Sequence, residues 1–175
     1  LITETEKQQI LIGFNATKTE FPQGATIYEL FERQAEHTPD QIAVVFQDQS
    51  VTYRKLNAKA NQLARRLRNK GIKPDSIVGI IMDRSLELAV AVLGVLKAGA
   101  AYLPIDPAYP VERINYLLMD CSPRLLLTDS VSTNKFKFTG ETVRFNFTEL
   151  SGETANLAKV NKPEDLAYVI YTSGT

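Results

Sequence analysis

The chain has little of what metal and redox chemistry ask for: one cysteine, one histidine and no excess of charge. Cys121 alone excludes an internal disulfide and accords with the cytoplasm. A zinc site or a Ser-His-Asp triad would have to be built around His37. That residue stands in the polar helix exit Glu36-His37-Thr38-Pro39, where a solvated imidazole is expected, so no metal site is predicted. Lys plus Arg and Asp plus Glu number 20 each, and no basic stripe points to nucleic acid or to an anionic membrane as partner. The longest apolar stretch, residues 86–101, is broken by Glu87, Gly94, Lys97 and Gly99 and is too short to span a bilayer. No basic segment followed by an apolar core marks a secretory signal. The chain begins with Leu1 rather than Met, as an excised piece would. Both glycine fingerprints of nucleotide sites, Gly-x-Gly-x-x-Gly and Gly-x-x-x-x-Gly-Lys-Ser/Thr, are missing, which argues against a nucleotide-binding dehydrogenase.

What is present is the material of a globular α/β domain. At 175 residues with 44% apolar side chains, the chain can bury a sizeable core. Residues 1–24 read as a connector: Thr3 and Glu6 form an N-terminal capping pair for a short helix over about 4–12, and a polar, turn-rich stretch follows. This segment is either a frayed terminus or a linker whose Leu11, Phe14 and Phe21 pack on a neighbouring domain. From residue 25 the pattern is regular. Thr26 caps a helix with Ile27, Leu30, Phe31 and Ala35 on one face. Ile42–Phe46 and Val51–Tyr53 make a hairpin, and a long helix runs from Tyr53 to about Lys70, ended by Gly71. Strands then alternate with helices: Ile77–Met82, a helix capped by Ser85, Ala101–Ile105, a helix from Pro110, Arg124–Thr128 and Val143–Phe147. The helix after Ser85 is apolar on most sides, so deep burial is expected. Residues 148–163 read as a mobile polar connection. The alternation predicts a three-layer α/β domain with a mainly parallel sheet.

The last ten residues organise the rest. Leu166–Tyr171 reads as a buried strand. It feeds Thr172-Ser173-Gly174-Thr175, four residues that alone make an ordinary turn. Behind a buried strand, such a hydroxyl-rich loop can bring backbone N–H groups and hydroxyls to a phosphate. In an open parallel sheet, ligands bind at the carboxyl ends of the strands, and this loop is predicted to lie there. Thr175 reads as a cut edge.

Three blocks, in order, resemble the adenylation domains of non-ribosomal peptide synthetases, members of the adenylate-forming enzyme superfamily. Val51-Thr-Tyr-Arg-Lys-Leu56 resembles an early Leu-Thr-Tyr-x-Glu-Leu motif, with Val at 51 and Lys at 55 as departures. Leu96-Lys-Ala-Gly-Ala-Ala-Tyr-Leu-Pro-Ile-Asp106 matches a second motif at essentially every position. Leu166–Thr175 resembles the first half of the phosphate-loop signature, whose second half, Thr-Gly-x-Pro-Lys-Gly, would follow Thr175. Residues 3–15 look like the connector from an upstream condensation domain. The second block reads as scaffold: Lys97 and Gly99 close a helix, and Pro104 to Pro107 set the strand exit.

The resemblance implies an N-terminal part, residues 25–175, of a domain that joins an amino acid to ATP as an aminoacyl-adenylate. The acyl group then passes to phosphopantetheine on a downstream carrier domain. It implies ATP-phosphate contacts from Thr172, Ser173, Gly174 and Thr175, with Mg2+ as companion ion. The loop lysine, the Mg2+ ligand, the adenine and specificity contacts and a second catalytic lysine all fall past Thr175, so no catalytic residue is assigned within these residues and this piece alone is expected to be inactive. A stand-alone acyl or amino-acid ligase and a non-catalytic docking module are the alternatives. The connector-like start argues against the first, and a downstream chain lacking Thr-Gly-x-Pro-Lys-Gly would favour the second.

Overall fold

A computed structural model describes residues 2–20, 22–129 and 135–172. Its core is a parallel sheet of β3 (Ile77–Ile81), β4 (Ala101–Ile105), β5 (Leu125–Thr128) and β6 (Glu141–Arg144), ordered β4-β3-β5-β6. Strands this short and apolar, joined through helices, can pair in parallel only if both faces are covered. Helices α3 (Tyr53–Asn69) and α4 (Leu86–Ala98) cover one face, where Leu63, Leu67, Val90 and Val95 pack with Val78, Ile80, Leu125 and Leu127. Helix α5 (Val111–Cys121) covers the other through Ile114, Leu117 and Leu118 against Leu103, Ile105 and Leu126. The predicted three-layer α/β domain is thus the observed one.

The helix ends follow their local chemistry. Thr3 and Glu6 cap α1 (Glu4–Gln8), which continues as a π turn through Gly13. Thr26 and Glu29 form the same reciprocal cap on α2 (Ile27–His37). Thr52 and Ser85 accept from the third backbone N–H of α3 and α4. Gly99 ends α4 in the left-handed conformation, φ +98°, which a side chain would strain. His37 is exposed, as expected.

Four expectations are corrected. On α2, Phe31 and Ala35 pack inward as expected, joined by Tyr28 and by Glu32 in its ion pair with Lys97, but Ile27 and Leu30 are 55% and 40% exposed. The last sheet strand lies at 141–144 rather than 143–147, and Phe145 follows it into the core. Residues 148–161 are a strap rather than a loose connection. Asn61 donates to the Thr154 carbonyl at 2.8 Å, Arg65 to Ala155 at 2.7 Å and Arg68 to Ala158 at 2.9 Å, because the polar side of α3 carries donors that match the strap's carbonyls. Finally, residues 166–171 are not a buried strand. They touch β4 through a single parallel bridge, Tyr102 to Tyr168, with Val169 and Tyr171 turned to the core. Leu166, Tyr168 and Ile170 are 51%, 52% and 57% exposed. The segment lies on the sheet's edge beyond β4, where only one of its faces meets the core. Helix α4 differs in degree: Leu88, Ala89, Val92 and Leu93 are half-buried at an apolar groove shared with the β1–β2 hairpin (Ile42–Phe46 and Gln49–Thr52).

Candidate functional site

Parallel strands send their carboxyl ends to one side of the sheet, and side chains there are set by strand termination rather than by core packing. Here β3 leaves the sheet as Met82-Asp83-Arg84, β4 as Asp106-Pro107, and the edge segment as Ile170-Tyr171. These residues, with Tyr109 and with Arg113 of α5, line a cleft of about 540 Å³. Its floor is apolar, from Ile80, Ile105 and Leu117, and its rim holds two carboxylates and two guanidinium groups. Such a mixture of apolar floor and convergent charge is what a small-molecule site requires.

Asp106 is held by its own turn: its Oδ1 accepts from the Ala108 N–H at 2.8 Å. Asp129, just past β5, has its carboxyl pushed above the ordinary range, first by burial and further by the negative charges of Asp83 and Glu87. Among the described residues no group of three or more His, Cys, Asp and Glu side chains could hold a metal ion.

Tyr171 is the anchored member of the cleft wall. Its hydroxyl donates to Asp120 Oδ2 at 2.5 Å. Burial, and then the Asp120 carboxylate, push its pKa well above the usual phenol range, so it remains a donor. Tyr116 meets its ring edge-on, centroids 6.4 Å apart, and the Arg113 guanidinium lies 6.0 Å from its centroid.

Of the four loop residues singled out in the sequence, Thr172 follows directly on Tyr171 at the cleft wall and is exposed. Ser173, Gly174 and Thr175 lie outside the described residues. Sequence reasoning missed Asp83, Arg84 and Arg113. Their signal was available in part: Asp83-Arg84 interrupts an apolar run at a strand exit, where a merely structural turn needs no paired opposite charges. Arg113 resembles the family only as part of the phrase Glu112-Arg113 after Pro110, and on α5 its chemistry alone reads as that of a solvated helix residue. Lys97, read as a helix-closing residue, is in fact fully buried and ion-paired to Glu32 of α2. Burial lowers its pKa, and the Glu32 hydrogen bond opposes that shift.

A profile of AMP-binding enzymes matches residues 31–175. The chain belongs to that family. Its relatives are much longer. Gramicidin S synthase 2 of Brevibacillus brevis is 49% identical over the whole of this chain, which spans 4% of that protein. Bacitracin synthase 1 of Bacillus licheniformis is 48% identical over the whole chain, which spans 3% of it. Among solved structures, the AMPPNP-bound form of the non-ribosomal peptide synthetase FmoA3 superposes with a TM-score of 0.82, at 34% identity, over 95% of this chain and 18% of that one. The N-terminal subdomain of Klebsiella oxytoca NpsA superposes with a TM-score of 0.79, at 26% identity, over 88% of this chain and 40% of that one. The resemblance to peptide-synthetase adenylation domains therefore holds across the whole chain and in three dimensions.

Proposed function

We propose that the chain is the N-terminal part of an amino-acid-activating adenylation domain in a non-ribosomal peptide synthetase. The observation that carries this reading is the family match running through residue 175, with Thr172 emerging from the wall of a cleft at the carboxyl edge of the sheet. The substrate carboxylate attacks the α-phosphorus of ATP. One carboxylate-oxygen-to-phosphorus bond forms, the α–β phosphoanhydride bond breaks, and pyrophosphate leaves. Charge builds on the phosphate oxygens as that bond opens, so preorganised donors lower the barrier. Thr172 and Ser173 supply hydroxyl donors, Thr175 a third, and Gly174 lets the backbone approach. Mg2+ accompanies ATP in this chemistry, but no described cluster fits it, and no step is assigned to an ion held by these residues.

In the same reading, residues 1–24 are the linker from an upstream condensation-type domain. Leu11 and Phe14 remain exposed there, which supports a role against a neighbour; Phe21 lies outside the described residues. A downstream carrier domain accepts the acyl group on phosphopantetheine. The setting is cytoplasmic, where ATP is available; among the described residues no helix is long and apolar enough to cross a membrane.

Amino-acid-dependent ATP–pyrophosphate exchange tests the proposal, on the polypeptide continued past Thr175. Exchange with a particular amino acid, and none from residues 1–175 alone, is expected. A folded, extended protein that exchanges with no amino or aryl acid would leave a docking module as the better reading. In the active protein, Thr172→Ala is expected to lower exchange on the order of a hundredfold, the usual cost of one donor to developing charge.

A further inference from the structure

Helix α5 presents Arg113, Tyr116 and Asp120 at spacings of three and four residues, which places them on one face. All three converge on Tyr171. Its hydroxyl donates to Asp120 at 2.5 Å, its ring meets Tyr116 edge-on at 77°, and the Arg113 guanidinium lies 5.6 Å from the Tyr116 centroid and 6.0 Å from that of Tyr171. The edge segment is tied to β4 by two bonds, Tyr102 N–H to Ala167 O at 3.1 Å and Val169 N–H to Tyr102 O at 2.9 Å. Among the described residues, no backbone hydrogen bond ties 170–172 to the sheet. The next fixed point is the side chain of Tyr171, one residue before Thr172.

We propose that Arg113, Tyr116 and Asp120 form a positioning clamp that, through Tyr171, fixes where the adjoining Thr172 stands at the cleft wall and so sets its hydroxyl for the ATP phosphates. The proposal rests on the functional reading above. None of the clamp residues has to touch ATP. Their effect is transmitted through one aromatic side chain held at both its ring and its hydroxyl. A loop that approaches phosphate through backbone N–H groups and short hydroxyls depends on placement to a fraction of an ångström. The hydroxyl bond itself is dispensable to the core, since the Tyr171 ring already packs on the α5 side of the sheet and the Asp120 carboxylate sits at the protein surface.

The test is pyrophosphate exchange on the polypeptide continued past Thr175, with ATP and amino acid varied separately. Tyr171→Phe keeps the ring and deletes the donor. The expected result is a rise of about tenfold in KM for ATP or an equivalent loss of kcat, the scale of one hydrogen bond to a charged group. The amino-acid KM should stay within about twofold of wild type, because a loop-specific defect leaves ground-state binding of the other substrate intact. Asp120→Leu should match Tyr171→Phe, and Asp120→Asn, which retains an acceptor, should recover most of the loss. Unchanged kinetics in Tyr171→Phe would overturn the clamp while leaving the adenylation reading standing. So would equal losses for both substrates accompanied by a lowered melting temperature, which is the mark of a structural role alone. Absence of exchange in the wild-type extended protein would instead remove the functional reading and the clamp with it.

Discussion

Two charged residues carry more of the stability than their positions in the sequence suggest. Lys97 is fully buried beside Glu32, with the Phe31 ring 6.0 Å from its ammonium. Desolvating both charges offsets much of their attraction, yet removing one leaves the other stranded. Lys97→Met is therefore expected to cost about 3 kcal/mol, read as a shifted urea midpoint with unchanged slope. Glu29 works differently. Its carboxylate accepts from the Thr26 backbone at 2.7 Å, from the Thr26 hydroxyl at 2.8 Å and from Lys159 at 2.9 Å. Led by the backbone bond, these hold its pKa at about 2, below the ordinary 4.5. The folded value lies below the unfolded one, so the stabilisation is complete above about pH 4.5 and disappears as pH falls through about 2. The gap in unfolding free energy between wild type and Glu29→Gln should close across that window in acid titrations followed by urea unfolding. The Lys97–Glu32 pair was not legible beforehand, whereas Glu29 stands three residues after Thr26, where a reciprocal cap places its acid. A lysine near a helix end reads as a cap, and nothing local says that Glu32 will come to meet it from 65 positions away.

Elements were legible where their signals were local. Capping residues, the positive-φ glycine after α4 and the strand–helix alternation placed nearly every boundary to within a few residues, and the layered α/β architecture followed. The failures share one cause: burial is decided by partners that periodicity does not display. The apolar face read on α2 proved partly exposed, and the apolar run 166–171 became a one-sided edge segment. The strap read as loose because its binding energy resides in α3's cations and amides, not in its own sequence. The rule of carboxyl ends pointed to the edge of the sheet where the candidate cleft lies, but the cleft's charged rim was not legible. Packing of α3 on α4 gives an element-scale prediction. A Cβ on Gly94 would stand 2.7 Å from Leu63 Cδ2, too close for two packed helices to absorb without shifting. Gly94→Ala should destabilise by about 1–3 kcal/mol despite its higher helix propensity, measurable by thermal unfolding. For the strap, Arg68→Ala removes donors to both Ala158 and the Lys97 carbonyl. Faster proteolytic cleavage within 150–161 is the expected outcome, in limited digestion compared with wild type.

At the scale of the whole molecule, the chain is tied together by contacts between distant parts of its sequence. β3 pairs with both β4 and β5, the edge segment reaches back to Tyr102, and the strap crosses α3 some 90 residues after that helix was laid down. This arrangement places the cleft where strands far apart in sequence end together, which is why the candidate site draws on segments near residues 83, 106, 113 and 171. The strap has a consequence in time. A ribosome adds roughly 5–20 residues per second, so the guanidinium groups of Arg65 and Arg68 wait on the order of ten seconds before the carbonyls they bind have been synthesised. Until then α3 can shield its apolar side against α4 and the early strands but must leave its polar side to water. Synthesis order therefore fixes which half of the helix is committed first, and a slow codon run shortly before residue 154 would prolong the half-committed intermediate without altering the final fold.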